Sequence, residues 1–137
     1  MKDKLIKLAE RVEAASGTDR EIDILIGAAT DLQIEHCMMP FRELFEMSGM
    51  EQTLLMAESH QTILRDGLPR YTKSLDAAMT LVPDGCGVLL ATGRGSMCSV
   101  SIGYLGDHNA TWPANVSAAT PALALTAAAI RAIAATK

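Results

Sequence analysis

Residues 69–135 contain helical and strand segments in an order that is typical of one compact α+β unit. They contain a short helix (SLDAAMTLVP), a strand (GVLLAT), a Gly turn (GRGS), a second strand (MCSVSIGYL), a polar loop and an Ala-rich helix (TPALALTAAAIRAIAA). Helices that flank a hairpin in this order bury their apolar sides on a small antiparallel sheet. The sequence therefore predicts an α+β fold, with helices packed on a small antiparallel sheet that has a central β-hairpin.

Local signals place the elements of this half. Ser74 is the predicted N-cap of the short helix; Thr120 is the predicted N-cap of the last helix, with Pro121 as its first residue. The strand at 87–92 is mostly apolar, which predicts a buried strand. The strand at 97–105 alternates with period two, which predicts one half-buried face.

The hairpin has two predicted consequences. Pairing around the GRGS turn sets Cys86 near Ile102 and Cys98 near Leu90, so these two thiols lie too far apart for a disulfide. Two strands alone make a marginal sheet, so we expect a third strand near 68–73 or completion of the sheet by another subunit. Together with the apolar last helix, this predicts a homo-oligomer.

The first half is predicted to be helical. A helix is expected at 2–15, and a Thr18–Glu21 capping box begins a second helix that ends near residue 31. Segment 32–68 holds five of the eight methionines and both phenylalanines. Pro40 begins a helix there, Ser48-Gly49 breaks it, and a further helix is expected from Met50. We predict a single domain, 1–137, composed of 1–31, 32–68 and 69–137.

The Met-rich segment has two interpretations. Methionine is flexible and fills irregular core space, and the same property lets a Met-rich surface adapt to a partner. Core filling is favoured. The candidate partner-binding residues under the second interpretation are Met38, Met39, Phe41, Phe45 and Met47.

Composition excludes several classes of function. The net charge is −4, and no run of Lys or Arg provides the basic stripe that duplex nucleic acid requires. The last helix is mostly Ala and carries Arg131, so it is too weakly hydrophobic for a membrane span. The charged N-terminal helix lacks the apolar core of a signal peptide, and the odd cysteine count suggests reduced thiols, so we expect a cytoplasmic protein.

No complete catalytic or metal-binding motif is present, and no cofactor is predicted. His36 and Cys37 lack a second ligand pair, and the GRGS turn leads into a strand rather than a helix. The polar loop after the hairpin is a candidate ligand site, because its aromatic ring could stack on a planar ligand. Its candidate residues are Asp107, His108, Asn109 and Trp112, with Arg94 of the GRGS turn, at the opposite end of the hairpin, as a candidate anion partner. The favoured interpretation is a polar connection whose Trp covers the sheet edge.

The segments YTKSLDAAMTLVPDG and TPALALTAAAIRA, with a Trp in the loop between them, resemble the small phage and prophage proteins that carry the phage ABA sandwich domain. The opening LIKLAERVEAASGTDREID is also similar to the usual start of those proteins. The resemblance implies an α/β/α sandwich-like fold, encoded by a phage or prophage and acting in the bacterial host.

The predicted function is that of a non-enzymatic accessory protein that counters host defence. It would bind a host protein or a small anionic, nucleotide-like signalling molecule. Two alternatives stay open: a small hydrolase that uses His108 with Asp107, and a virion assembly or structural protein.

Overall fold

The computed structural model describes residues 2–30, 32–34, 38–58, 67–92, 98–104 and 114–135, and the chain divides into two compact units. We call residues 1–18 with 71–137 the sheet unit and residues 19–70 the helical unit. The sheet unit contains α1 (Lys2–Ala14), α4 (Leu75–Met79), β1 (Cys86–Thr92), β2 (Cys98–Tyr104), β3 (Ala114–Ala118) and α5 (Pro121–Ala135). The helical unit contains α2 (Arg20–Ala29) and α3 (Phe41–Glu58). The predicted α+β class is confirmed.

The sheet is antiparallel with strand order β1-β2-β3. Period-two alternation puts Val100 and Ile102 of β2 on one face, and both are fully buried. Val116 and Ala118 of β3 are buried as well. Helix α5 packs against β2 and β3, and it covers this apolar face.

The observed strand pairing corrects two predictions. Cys86 pairs with Tyr104, and Cys98 pairs with Thr92, so the register differs by two residues from the predicted one. A shift of two keeps every side chain on its predicted face. Both cysteines are free thiols at opposite ends of the ladder, as predicted. The third strand is Ala114–Ala118, which pairs with β2, and not the segment 68–73.

Strand β1 is an edge strand, and the prediction of a buried strand is wrong for it. Among the described residues it pairs on one side only, with β2. Leu89 is 61% exposed, and Leu90 is 43% exposed. An apolar run has the same composition in a central strand and in an edge strand, because burial depends on what pairs with it.

Helix α5 is buried almost all round, as its composition predicts. Thr120 caps it as expected: its Oγ1 accepts a hydrogen bond from the Leu123 N–H at 3.2 Å. Buried alanines occupy much of its surface and let α1, α4 and the sheet approach closely. The apolar character of this helix is therefore explained by packing within the sheet unit.

A bidentate ion pair joins α5 to α1. Arg131 Nε and Nη2 donate to Glu13 Oε1 and Oε2 at 2.9 and 2.8 Å. The hydrogen bond that Arg131 donates to Glu13, together with the negative charge of that carboxylate, raises the pKa of Arg131 above its usual value. The one charged side chain of an otherwise apolar helix is thus placed where a carboxylate receives it.

The short helix α4 begins at the predicted cap, since Ser74 Oγ accepts from the Ala77 N–H. It ends at Met79. Ala78 is buried, whereas Leu75 and Met79 are exposed. No helix in the described part of the chain has the length and apolar character needed to cross a bilayer.

The contacts group the first helix differently from the predicted subdivision. Helix α1 belongs with the sheet unit, where it packs on α5 and β3, and α2 belongs with the Met-rich segment in the helical unit. The subdivision into 1–31, 32–68 and 69–137 stays a prediction.

Candidate functional site

The helical unit begins with a well-defined cap. Asp19, not Thr18, is the N-cap of α2: its Oδ1 accepts from the N–H groups of Glu21 and Ile22 at 2.9 and 3.3 Å. A carboxylate at this position also suits the positive end of the helix dipole, which explains the preference over the neighbouring hydroxyl. The predicted Thr18–Glu21 capping box is therefore replaced by an Asp19 cap.

The core of the helical unit fixes where α3 lies on α2. Phe41 is fully buried in it, together with Ile24, Ile34, Ala57 and Leu68. Gly27 permits the close approach, because a Cβ built there would lie 3.1 Å from the Phe41 ring and from Leu32 Cδ2. Phe41 is consequently part of the core, and its side chain is not available to a partner.

Arg42 holds the start of α3 against the end of α2. Its Nε donates to Ala28 O at 2.8 Å and its Nη2 donates to Ala29 O at 3.4 Å, which gives two carbonyls at the end of α2 a charged partner. The backbone N–H of Phe41 adds a bond to Leu32 O at 3.1 Å. This role of Arg42 was not predicted from the sequence, because the carbonyls of Ala28 and Ala29 come close to it only through the packing of α3 on α2.

Helix α3 changes direction at Gly49, whose φ of 76° and ψ of 170° are non-helical. The predicted break at Ser48-Gly49 is confirmed. Only glycine adopts this backbone region readily. Helix α3 is therefore interrupted at Gly49 and has two halves.

The outward face of the first half combines acid with exposed methionine. Glu43, Glu46 and Met47 are related by helical spacings of three and four, and all three are exposed. Met47 is 76% exposed. The opposite face packs into the core through Phe41, Leu44 and Phe45.

The second half repeats this arrangement. Glu51, Leu55 and Glu58 share one exposed face, and Leu55 is 58% exposed between two carboxylates. Met50, Leu54 and Ala57 face the core. We call the six exposed side chains the outer face of α3: Glu43, Glu46, Met47, Glu51, Leu55 and Glu58.

The predicted partner-binding residues separate into three groups. Met38 is fully exposed and Met47 largely so; Met39 and Phe45 are half-buried; Phe41 is buried in the core. Core filling holds for part of the Met-rich segment, since Met50 and Met56 pack on the core, and the partner-binding surface stays a prediction. The exposure of Leu55 was not predicted. The signal in the sequence is its helical spacing from Glu51 and Glu58, which places it on the same face as these two charged residues.

The predicted ligand residues lie outside the described residues. They are Arg94, Asp107, His108, Asn109 and Trp112. Within the described ranges, no group of three or more His, Cys, Asp or Glu side chains is placed to hold a metal ion.

No family model matches the chain, and comparison with curated proteins and with solved structures finds no significant match. The resemblance to the phage ABA sandwich domain stays a prediction.

A buried threonine in α3 provides a test of the core below the outer face. Thr53 is fully buried, and its Oγ1 has no hydrogen-bond partner among the described residues. Replacing Thr53 by the isosteric valine should raise the free energy of unfolding by about 1 kcal/mol, because it removes a buried hydroxyl without a partner. Urea denaturation followed by circular dichroism measures the change.

The matched control is Thr126→Val in α5. Thr126 is equally buried, but its Oγ1 donates to Tyr71 O at 2.8 Å. Loss of this bond should lower the free energy of unfolding by about 1 kcal/mol. If both variants shift stability in the same direction, the hydroxyl of Thr53 is hydrogen-bonded in solution and the expectation fails.

Proposed function

We propose that this protein is a non-enzymatic phage or prophage accessory protein that binds a host protein through the outer face of α3. The observation that carries the proposal is the exposure of Met47 and Leu55 among glutamates on a helix whose other side is fixed in a core. A helix face of this kind offers an apolar centre with a polar rim, the usual composition of a protein–protein contact.

Charge indicates the chemistry of the partner. The outer face of α3 carries four glutamates, and Arg42, the one basic residue of the helix, is directed to the carbonyls of α2. A face with this charge repels phosphates and attracts Lys and Arg. The proposed partner is therefore a host protein with a basic rim around an apolar groove, rather than an anionic signalling molecule.

The biological setting follows from the resemblance noted in the sequence. We place the protein in the cytoplasm of a bacterial host, where sequestering a host protein would counter defence. A homo-oligomer also belongs to the proposal. The sheet has its own third strand and α5 is buried within the sheet unit, so the support for self-association now comes from the edge strand β1.

A capture experiment tests the outer face of α3. The full-length protein, immobilised on beads, is exposed to host lysate, and retained proteins are identified by mass spectrometry. The double variant Met47→Ser/Leu55→Ser should lose specific capture by roughly tenfold or more, because both side chains are central and apolar. Both are exposed, so the fold should be unaffected.

The controls separate surface chemistry from general stickiness. Met79→Ser removes an exposed methionine from the sheet unit and should leave capture unchanged. Glu43→Lys/Glu46→Lys reverses the charge and should abolish capture, and added salt should weaken capture by the wild type. If the same proteins are retained by Met47→Ser/Leu55→Ser and the wild type, the outer face of α3 is not the binding surface.

A further inference from the structure

The free side of β1 has features that edge strands ordinarily avoid. The strand is seven residues long, CGVLLAT, without a charge or a proline. Natural edge strands are usually short, charged, bulged or covered, because unpaired N–H and C=O groups recruit other strands. Leu89 and Leu90 are nevertheless exposed on this edge. Within the described ranges, β1 pairs with another strand on one side only, and its other side is an uncharged, apolar strand edge.

The hydrogen-bond pattern shows which groups point outward. The Cys86 N–H donates to Pro83 O at 3.2 Å, in the turn before β1, so we infer that Cys86 and its cross-strand neighbour Tyr104 form a non-hydrogen-bonded pair. In an antiparallel ladder, hydrogen-bonded and non-hydrogen-bonded pairs alternate. The N–H and C=O groups of Val88 and Leu90 therefore point away from β2, and those of Leu89 point toward it.

The strand is complementary to its own reversed copy. Small residues, Cys86-Gly87 and Ala91-Thr92, flank an apolar centre, Val88–Leu90. An antiparallel pair centred on Leu89 sets Val88 opposite the partner's Leu90 and Gly87 opposite the partner's Ala91. A two-fold interface requires this kind of self-complementarity, whereas a contact with an unrelated strand does not.

We propose that β1 pairs antiparallel with β1 of a second copy of this chain, centred on Leu89. The proposal rests on the homo-oligomer of the proposed function and assigns its surface. Pairing joins two three-stranded sheets into one of six strands. The outward groups of Val88 and Leu90 then form inter-chain hydrogen bonds. Leu89 faces the partner's Leu89 as a non-hydrogen-bonded pair, with a Cα separation of about 4.5 Å.

The apolar side chains support the same register. Leu90 and Val88 lie on the face that carries Val100 and Ile102, so pairing extends the covered apolar face across the two-fold axis. Leu89 lies on the other face, where its cross-strand neighbour is Ser101. Each copy buries two exposed leucines in one contact, and β1 brings no charge that must be desolvated.

Sedimentation velocity of the full chain, from low to high micromolar concentration, tests the dimer. The wild type should shift from monomer to dimer with rising concentration. L89K should stay monomeric, with dimerisation weakened at least roughly 100-fold, because like charges directly opposite each other repel. The substitution is at an exposed position, so the monomer stays folded, which circular dichroism checks.

Charge exchange tests the register. L89D alone should also be monomeric, whereas a mixture of L89K and L89D should recover a heterodimer, because residue 89 faces residue 89. Leu75→Lys, an exposed leucine of α4, is the matched control and should dimerise as the wild type does. A wild type that stays monomeric at high micromolar concentration, an L89K that dimerises normally, or a mixture that stays monomeric overturns the proposal.

The proposal of β1 pairing and the proposal of host-protein binding can each be overturned without the other. Sedimentation velocity measures β1 pairing in the purified protein, and capture from lysate measures partner binding by the outer face of α3. If L89K is monomeric and retains host capture, the two surfaces are independent. If the wild type is monomeric and capture persists, β1 pairing alone is wrong. If Met47→Ser/Leu55→Ser dimerises normally but its captured proteins match the wild type, the outer face of α3 alone is wrong.

Discussion

Replacing Ile130 by alanine is expected to lower the free energy of unfolding by about 3 kcal/mol, because it leaves a cavity in the centre of the sheet unit. Ile130 lies on α5 and is fully buried, as are its neighbours Ala127 and Ala129. Alanines cannot move to fill the space that the isoleucine leaves. The surrounding helix and sheet can therefore collapse only partly around the cavity.

The matched control is Ile133→Ala on the same helix. Ile133 is half-buried, so the same truncation removes less buried surface and should cost about 1 kcal/mol. Urea denaturation gives the two values, and hydrogen exchange of peptides from α5 and β2 shows whether the loss is in the sheet unit. Equal costs for Ile130→Ala and Ile133→Ala would contradict the burial assigned to α5.

Local signals in the sequence predicted much of this unit. Ser74 and Thr120 cap the helices that they were expected to cap, and the period of β2 identified Val100 and Ile102 as buried. Each of these features is determined by residues that lie close together in the sequence. A cap needs one side chain and the next turn, and alternation needs one strand.

Features that depend on distant pairing were not predictable. Strand β3, ANVSA, is short and has little β-propensity, and it enters the sheet through its pairing with β2. The register was off by two because the paired strands end at Thr92 and Cys98, so the connection is longer than the GRGS turn. The exposure of β1 has the same origin, since composition does not say which strand lies at the edge.

The candidate site shows the same division. The Gly49 break followed from helix signals, whereas methionine chemistry left core filling and an exposed binding surface as alternatives. The burial of Phe41 did not, because it depends on the space beside Gly27. Burial of this kind comes from tertiary contact, so a list of apolar residues cannot separate a core phenylalanine from a surface methionine.

The second large effect is expected at Arg20, which closes the helical unit. Its Nη1 donates to Asp23 Oδ2 and to Pro69 O, both at 3.2 Å, and its Nη2 donates to Leu68 O at 3.0 Å. These bonds join the first turn of α2 to the end of the unit. Both side chains of the ion pair are largely buried, with exposed fractions of 13% for Arg20 and 3% for Asp23.

Arg20→Leu should lower the free energy of unfolding by about 2 kcal/mol, because two carbonyls and a buried carboxylate lose a charged donor. Arg20→Lys is the matched control. A lysine keeps the charge but lacks the planar fork that reaches several acceptors, so it should recover about half of the loss. Hydrogen exchange of peptides from α2 and of residues 67–70 locates the effect. Equal exchange in Arg20→Leu and the wild type would show that these contacts do not hold the unit closed.

This prediction also links stability to the proposed function. The outer face of α3 depends on the core of the helical unit, because Phe41, Leu54 and Ala57 fix which side of the helix faces outward. The hydrogen bonds of Arg20 given above go to Asp23, Leu68 and Pro69, which are not part of that face. If Arg20→Leu loses host capture at a temperature where its helical unit is open and regains it on cooling, the partner recognises the folded face. If capture is independent of temperature in this variant, the partner recognises an unfolded segment, and the geometry of α3 is not what it reads.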